Sequence, residues 1–313
     1  MRTHFPTFSP AHFPHNSPVQ LNATYRGRIA PSPTGFLHLG HARTFWIAQE
    51  RAQQNSGALI LRNEDLDSAR CKPEFVSAMY EDLRWFGFQW QEGPDCGGPF
   101  MPYSQSQRMD YYRAAFEKLR EGGFVYPCQC SRKEVLQSLQ APHQGDEEPI
   151  YPGTCRGNVE LRIANDEPKD AEDSTFETRI SKFNWRFRVP DGETISFIDG
   201  NFGEQKFIVG KDFGDFIVWR HDDIPAYQLA VVADDAAMQI TEVVRGADLL
   251  LSTARQILLY HALGLSLPAF CHCDLLTDEK GIRLAKRNDA LSLRTLRQQG
   301  FSPESLRKAW VRQ

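Results

Sequence analysis

The stretch that most restricts the fold lies near the start, where RGRIAPS reads as a short strand running into a turn. TGFLHLGHARTFWIAQERAQQ follows as a glycine-rich turn feeding a helix. Its apolar Phe45, Ile47 and Ala48 lie among polar residues, and Gly57 stands where the helix should stop. Ala58–Leu61 then reads as a buried strand ending in the charged loop NEDLD. Strand, turn, helix and strand in this order predict a doubly wound, Rossmann-like α/β sheet with its site at the strand C-termini.

The pattern continues with FVSAMYEDLRWFGF, whose Phe75, Met79, Leu83 and Phe86 mark one helical face. QRMDYYRAAFEKLREGG predicts another helix, stopped by Gly122-Gly123. Residues 124–160 break the rhythm with paired cysteines and Pro/Gly turns, and residues 163–175 are polar. WRFRVP and ISFIDG alternate like strands of a small antiparallel insert. From FIVWRHDDIPAYQLAVVADD the α/β pattern returns, with a helix around Ala254–Leu263 and a strand near Phe270–Leu276. The expected organisation is a disordered N-terminal extension over 1–24 and a first catalytic half over 25–123. An inserted α+β subdomain over 124–210 and a second catalytic half over 211–313, ending in short basic helices, complete it.

Charge narrows the function. A net charge of −4 argues against a nonspecific nucleic-acid coat, which needs excess positive charge to displace counterions. A local patch remains, because residues 280–313 carry nine Lys/Arg and two acidic residues. No apolar run is long enough to span a membrane, and MRTHFPTFSPAHFPHNSPVQ lacks the layout of a secretory signal, so a cytoplasmic protein is expected. Seven cysteines, an odd count, favour reduced thiols or a metal site over a disulfide framework.

Three clusters carry chemistry. His38-Leu39-Gly40-His41 opens a helix, where unpaired N–H groups and the positive dipole end attract phosphate. Gly40 lets a flat ring approach the backbone, and the imidazoles can donate to phosphoryl oxygens as charge develops. Arg283-Leu284-Ala285-Lys286-Arg287 places three cations in five residues, able to clamp a pyrophosphate leaving group. Cys128-Gln129-Cys130 with Cys155 is a structural-zinc signal that needs a fourth ligand. His143 and Tyr151 are the candidates, and imidazole is the commoner ligand. Cys271-His272-Cys273 lies in a strand-like run and reads as core packing, the two thiols on one face and His272 on the other.

RIAPSPTGFLHLGHAR resembles the signature of class I glutamyl-tRNA synthetases, and RLAKR occupies the place of their lysine-rich loop. NEDLD, GDFIVWRHDDIPAYQLAVVADD and ITEVVRGADLLLSTARQILLYHALG also resemble that catalytic domain, over roughly residues 25–295. The loop departs from the family at Arg283, in place of Lys, and at Ala285, in place of Ser. The resemblance implies that His38, Gly40, His41, Arg283 and Lys286 handle ATP, with Mg2+. It implies that Arg28 and Arg245 receive the side-chain carboxylate of L-glutamate and Glu64 its ammonium. Tyr227, Ala30 and Ser32 would line that pocket. Related enzymes use a Cys-x-Cys…Tyr-x-x-x-Cys pattern, which implies one structural zinc on Cys128, Cys130, Tyr151 and Cys155.

Only 26 residues follow Arg287, which leaves no room for the anticodon-binding half of a full glutamyl-tRNA synthetase. That resembles the truncated glutamyl-Q tRNA(Asp) synthetases, which attach glutamate to queuosine in the anticodon loop of tRNA(Asp). A monomer acting on tRNA is the expectation. Charging a tRNA 3′ end beside a separate anticodon-binding protein, or an inactive RNA-binding paralogue, are the alternatives.

Overall fold

The computed structural model describes residues 24–130, 150–151, 153–157, 183–276 and 292–310. The extension expected over 1–24, apart from Thr24, therefore lies outside the described residues, as do His143, Arg283, Ala285 and Lys286.

Strand β1 (Arg26–Ile29) leads to helix α1 (Leu39–Gln54) and strand β2 (Ala58–Leu61), and β1 pairs β2 in parallel from Arg26↔Ala58 to Ile29↔Leu61. Helix α2 (Pro73–Phe86) starts on Pro73, whose fixed φ suits a first helical turn. It ends at Gly87, whose φ of 99° only glycine adopts without strain. Helix α3 (Met109–Glu121) precedes β3 (Val125–Cys128), β4 (Asn184–Phe187), β5 (Thr194–Asp199), β6 (Gly203–Ile208) and β7 (Phe216–Trp219). Helix α4 (Tyr227–Ala237), β8 (Glu242–Gly246), α5 (Leu250–Leu263), β9 (Ala269–Cys273), α6 (Leu293–Gln298) and α7 (Pro303–Trp310) follow.

The strands read as one small antiparallel insert divide between two sheets. β4 lies between β3 and β7 in a three-stranded antiparallel sheet. β5 instead joins the sheet ordered β6-β5-β9-β8, antiparallel to β6 and parallel to β9. The alternation of ISFIDG gave the strand correctly but could not name its partner, since pairing is a long-range choice. β1 meets β8 through Thr241, whose N–H donates to the Arg26 carbonyl at 2.9 Å.

Helices cover both faces of the adjoining β1-β2 and β6-β5-β9-β8 sheets, and side-chain alternation divides the apolar residues between two cores. Leu59, Leu61, Val244, Cys271 and Cys273 pack with α1 and α2 residues such as Ala48, Leu83 and Phe86. Ile60, Val243 and Phe270 point the other way, among α4 and α5 residues such as Leu229, Ala230 and Leu258. Each fully buried Leu or Phe of these layers contributes about 1.5–3 kcal/mol.

Candidate active site

The motif expected to handle the nucleotide sits where α1 begins. His38 is the N-cap: its Nδ1 accepts the His41 N–H at 3.3 Å, while His41 Nδ1 accepts the His38 N–H at 3.4 Å. The two rings stack with centroids 3.6 Å apart. A Cβ on Gly40 would come within 3.0 Å of the His38 ring, so the glycine makes this stack possible. His41 is exposed and His38 half-buried, so both rings edge onto solvent beside a helix N-terminus. Arg283 and Lys286 lie outside the described residues, but both flanks of their segment are tied to this spot. Asp274 C=O accepts from Arg43 of α1 at 3.0 Å, and Leu293 N–H donates to Leu37 C=O at 2.7 Å.

The glutamate candidates Arg28, Glu64 and Arg245 gather around the Tyr227 phenol. The Glu64 N–H donates to Pro31 C=O at 3.0 Å, which sets Glu64 against the 30–32 turn, and Ser32 Oγ lies 3.5 Å from Glu64 Oε2. Burial raises the Glu64 carboxyl above its ordinary value, against the pull of Arg62. Ala30 is half-buried and Ser32 exposed. Arg28 is buried on β1; its NH1 donates to Val244 C=O at 2.9 Å and its Nε lies 3.4 Å from Asp235 Oδ1. Tyr227 opens α4, and its phenol sits in the field of Arg245, Glu64, Arg28 and Asp235; burial above all raises its pKa. Arg245, on β8, is 4% exposed. It donates from Nε to His272 Nε2 at 3.2 Å and from NH2 to Thr253 Oγ1 at 2.7 Å, while its buried NH1 meets no acceptor. Among the described residues no carboxylate forms an ion pair with it, and burial lowers its pKa.

A second layer escaped the sequence reading. Arg62, fully buried, donates to Glu64 Oε1 at 2.9 Å and to Asp235 Oδ1 at 2.6 Å. Asp234 accepts from Arg108 Nε at 2.6 Å and from Tyr112 Oη at 2.9 Å. Burial works against the Asp235 carboxylate, but Arg62 and Arg28 hold its pKa below the ordinary value. The available signal was Asp234-Asp235 inside the apolar run LAVVADDAAM, since buried acids need cationic partners. His272, read as core packing, is a second omission: besides Arg245 it holds Asp199 Oδ2 at 2.6 Å through Nδ1. Its two neighbouring thiols do pack on the opposite face.

The cysteine cluster is separate. The Sγ atoms of Cys128, Cys130 and Cys155 lie within 4.8 Å of one another. Tyr151 Oη stands 3.5 Å from Cys128 Sγ and 3.3 Å from Cys130 Sγ, and accepts the Cys155 N–H at 2.9 Å. Arg186 donates from Nε to Cys128 Sγ at 3.2 Å and lies over the Tyr151 ring.

Comparison with known proteins fits this geometry. A relative from Symbiobacterium thermophilum named Glutamyl-Q tRNA(Asp) synthetase is 48% identical over 90% of this chain and 83% of its own. One of the same name from Nitratidesulfovibrio vulgaris is 46% identical over 88% of this chain and 82% of its own. A glutamate–tRNA ligase from Nitrosococcus oceani is 41% identical, over 89% of this chain and 57% of its own. Among solved structures, a glutamate tRNA ligase from Elizabethkingia meningosepticum in complex with its amino acid superposes with a TM-score of 0.70 at 29% identity. It covers 89% of this chain and 54% of that one. No helix among the described residues is long and apolar enough to cross a membrane. The family of class I tRNA synthetases (E and Q), catalytic domain, matches residues 24–313, and the chain belongs to it.

Proposed function

We propose that this chain activates L-glutamate with ATP and transfers the glutamyl group to queuosine in the anticodon loop of tRNA(Asp). The observation that carries the amino-acid half is Arg245, a buried guanidinium whose partners among the described residues are neutral and whose NH1 has none there. A buried cation of this kind is costly unless a carboxylate completes it. The glutamate side chain would do so together with Arg28, while Glu64 receives the ammonium. Tyr227, Ala30 and Ser32 border the same pocket.

The substrate α-carboxylate then attacks the α-phosphorus of ATP, and the bond to the departing pyrophosphate breaks. His38, His41 and the α1 N-terminus stabilise the charge that develops, with Gly40 giving the nucleotide room. Arg283 and Lys286 would neutralise the pyrophosphate, with Mg2+ bound to ATP. In the second step a queuosine hydroxyl attacks the acyl carbon and AMP leaves.

The acceptor half rests on likeness. The two relatives named for this reaction match over more than four-fifths of their length, whereas the glutamate–tRNA ligase matches over 57% of its own. Residues 25–123 and 211–313 are assigned as the two catalytic halves. Residues 124–210 are assigned to holding the RNA end, although Thr194–Ile208 belongs to the catalytic sheet.

The cysteine cluster fits a structural zinc. Thiolates about 2.3 Å from a tetrahedral zinc stand about 3.8 Å apart, and Cys130 Sγ lies 3.7 Å from Cys155 Sγ. Cys128, Cys130, Tyr151 and Cys155 would hold it, pinning the segments they come from. Metal analysis should find one zinc per chain, lost in Cys128→Ser and kept in Cys271→Ser; a full zinc content in Cys128→Ser would reject the site.

The decisive experiment has two parts. ATP–pyrophosphate exchange without tRNA should proceed with glutamate and not with glutamine. Labelled glutamate should then enter queuosine-containing tRNA(Asp) whose 3′-terminal diol was destroyed by periodate before queuosine was introduced. Labelling that vanishes with the 3′ diol, yet persists on tRNA(Glu) lacking queuosine, would transfer the assignment to 3′-end charging.

A further inference from the structure

Arg245 has two edges. The Nε–NH2 edge is closed by His272 Nε2 at 3.2 Å and Thr253 Oγ1 at 2.7 Å. The other edge carries NH1, buried and without a partner among the described residues. A guanidinium held along one edge presents the remaining donors in a fixed plane, the geometry a bidentate carboxylate needs.

Whether His272 can hold that edge depends on its tautomer. Asp199 lies against Nδ1 at 2.6 Å. The same carboxylate accepts backbone N–H groups of Asn201 and Phe202 at 3.0 Å each, and of His272 itself at 3.1 Å. A carboxylate with that many donors stays ionised, so Nδ1 carries the proton and Nε2 is left as an acceptor. The opposite tautomer would set an N–H against the Arg245 N–H. Strand register fixes the pairing, because Arg245 and His272 are direct partners in the parallel β8–β9 ladder. Both side chains, with Asp199, are at most 4% exposed, so water cannot substitute for any of these bonds.

A carboxylate beside Arg245 would hold the guanidinium equally well but would cancel its charge and compete with the substrate. A neutral imidazole orients the cation and leaves its charge available. Arg28 and Arg62 contrast with this, since both lie against Asp235.

We propose that His272, fixed in one tautomer by Asp199, is a positioning residue that aims Arg245 at the substrate carboxylate and sets selectivity for it. The proposal rests on the reading of Arg245 as the carboxylate receptor, and the test separates the two. ATP–pyrophosphate exchange is measured on the full chain for Arg245→Ala, His272→Asn and His272→Gln, with KM for glutamate and for ATP determined separately. Asparagine retains an amide donor near Asp199 but no acceptor within reach of Arg245. Glutamine carries a carbonyl far enough to accept from it. The His272→Asn protein should show a KM for glutamate raised about tenfold, the worth of one charge-assisted hydrogen bond, with KM for ATP within twofold of the parent. His272→Gln should recover most of the loss. If Arg245→Ala raises the glutamate KM and folded His272→Asn does not, the positioning role is wrong and the receptor reading stands. If Arg245→Ala leaves the glutamate KM unchanged, both fall. If His272→Asn does not fold, a folded His272→Gln that weakens glutamate as much as Arg245→Ala overturns the proposal, and one within threefold of the parent supports it. A rise in KM for ATP equal to that for glutamate would mark His272 as merely structural.

Discussion

His38 and His41 edge onto solvent at the start of α1 and bond to each other's backbone, whereas Arg245 is buried and held by residues from β9 and α5. The end proposed for the nucleotide needs only local geometry. A triphosphate brings its own charge and metal, and a helix start with two imidazoles meets it from the solvent side. The end proposed for glutamate would have to distinguish a carboxylate from an amide of the same shape. That takes an environment in which an unpaired cation is expensive, and such an environment has to be held together by other buried charges. Asp235 and Arg62 form such a support, paired with each other and with Arg28 and Glu64.

The largest expected effect breaks that support. Asp235→Ala removes the carboxylate against both Arg62 and Arg28 and should destabilise the fold by about 3–5 kcal/mol, the usual result of stranding a buried cation. Urea unfolding would measure it, and a loss under about 1 kcal/mol would mean the charges do not hold the pocket. At the other end the pattern should invert. His41→Asn should keep its stability within about 1 kcal/mol, the value of a cap. Its exchange rate should nevertheless fall about 100-fold, in the range seen when a transition-state donor is removed. Equal losses of stability and rate would erase the contrast.

The smallest effect is in acid, and its sign follows from two groups. Burial holds the pKa of His272 below the ordinary value of 6.5, against the pull of Asp199. The unfolded chain therefore takes up a proton below about pH 6.5 that the folded chain refuses, and stability falls as pH falls through that window. Burial works to raise Asp199, but the His272 bond and the N–H groups of Phe202 and Asn201 outweigh it and bring the carboxyl to about 2. Its contribution is present above the ordinary value of 3.8 and is lost as pH drops toward 2. His261, also held low by burial, adds to the same fall in stability below the ordinary value. His272→Gln should therefore remove only part of the upper slope, at most about 1.4 kcal/mol per pH unit. An unchanged slope would show that His272 is charged in the folded state.

The same contrast explains what the sequence could reveal. The nucleotide motif, strand β2 and helices α1 to α3 depend on neighbours within a few turns, so periodicity and glycine placement gave them. Arg28, Glu64, Tyr227 and Arg245 are scattered along the chain, and only the family resemblance could bring them together. Resemblance carried the residues expected to touch substrate but not those behind them. Asp199 and His272 meet across a separation of 73 residues, and nothing local marks either as a partner of the other. The partner of β5 was hidden for the same reason. A strand's alternation tells which face is buried and says nothing of which edge it joins.

That separation also has a consequence for how the protein is made. The Arg28–Asp235 contact spans 207 residues, and the bond from Arg26 N–H to Thr241 Oγ1 spans 215. At about 5–20 residues per second, Arg28 on the first strand waits some 10–40 s after synthesis before Asp235 exists. Throughout that interval β1 has β2 for company but an open edge where β8 will lie, with Arg28 still without its acid. The pocket is therefore among the last parts of the molecule to be completed, and the nascent chain must keep that edge from pairing with a neighbour.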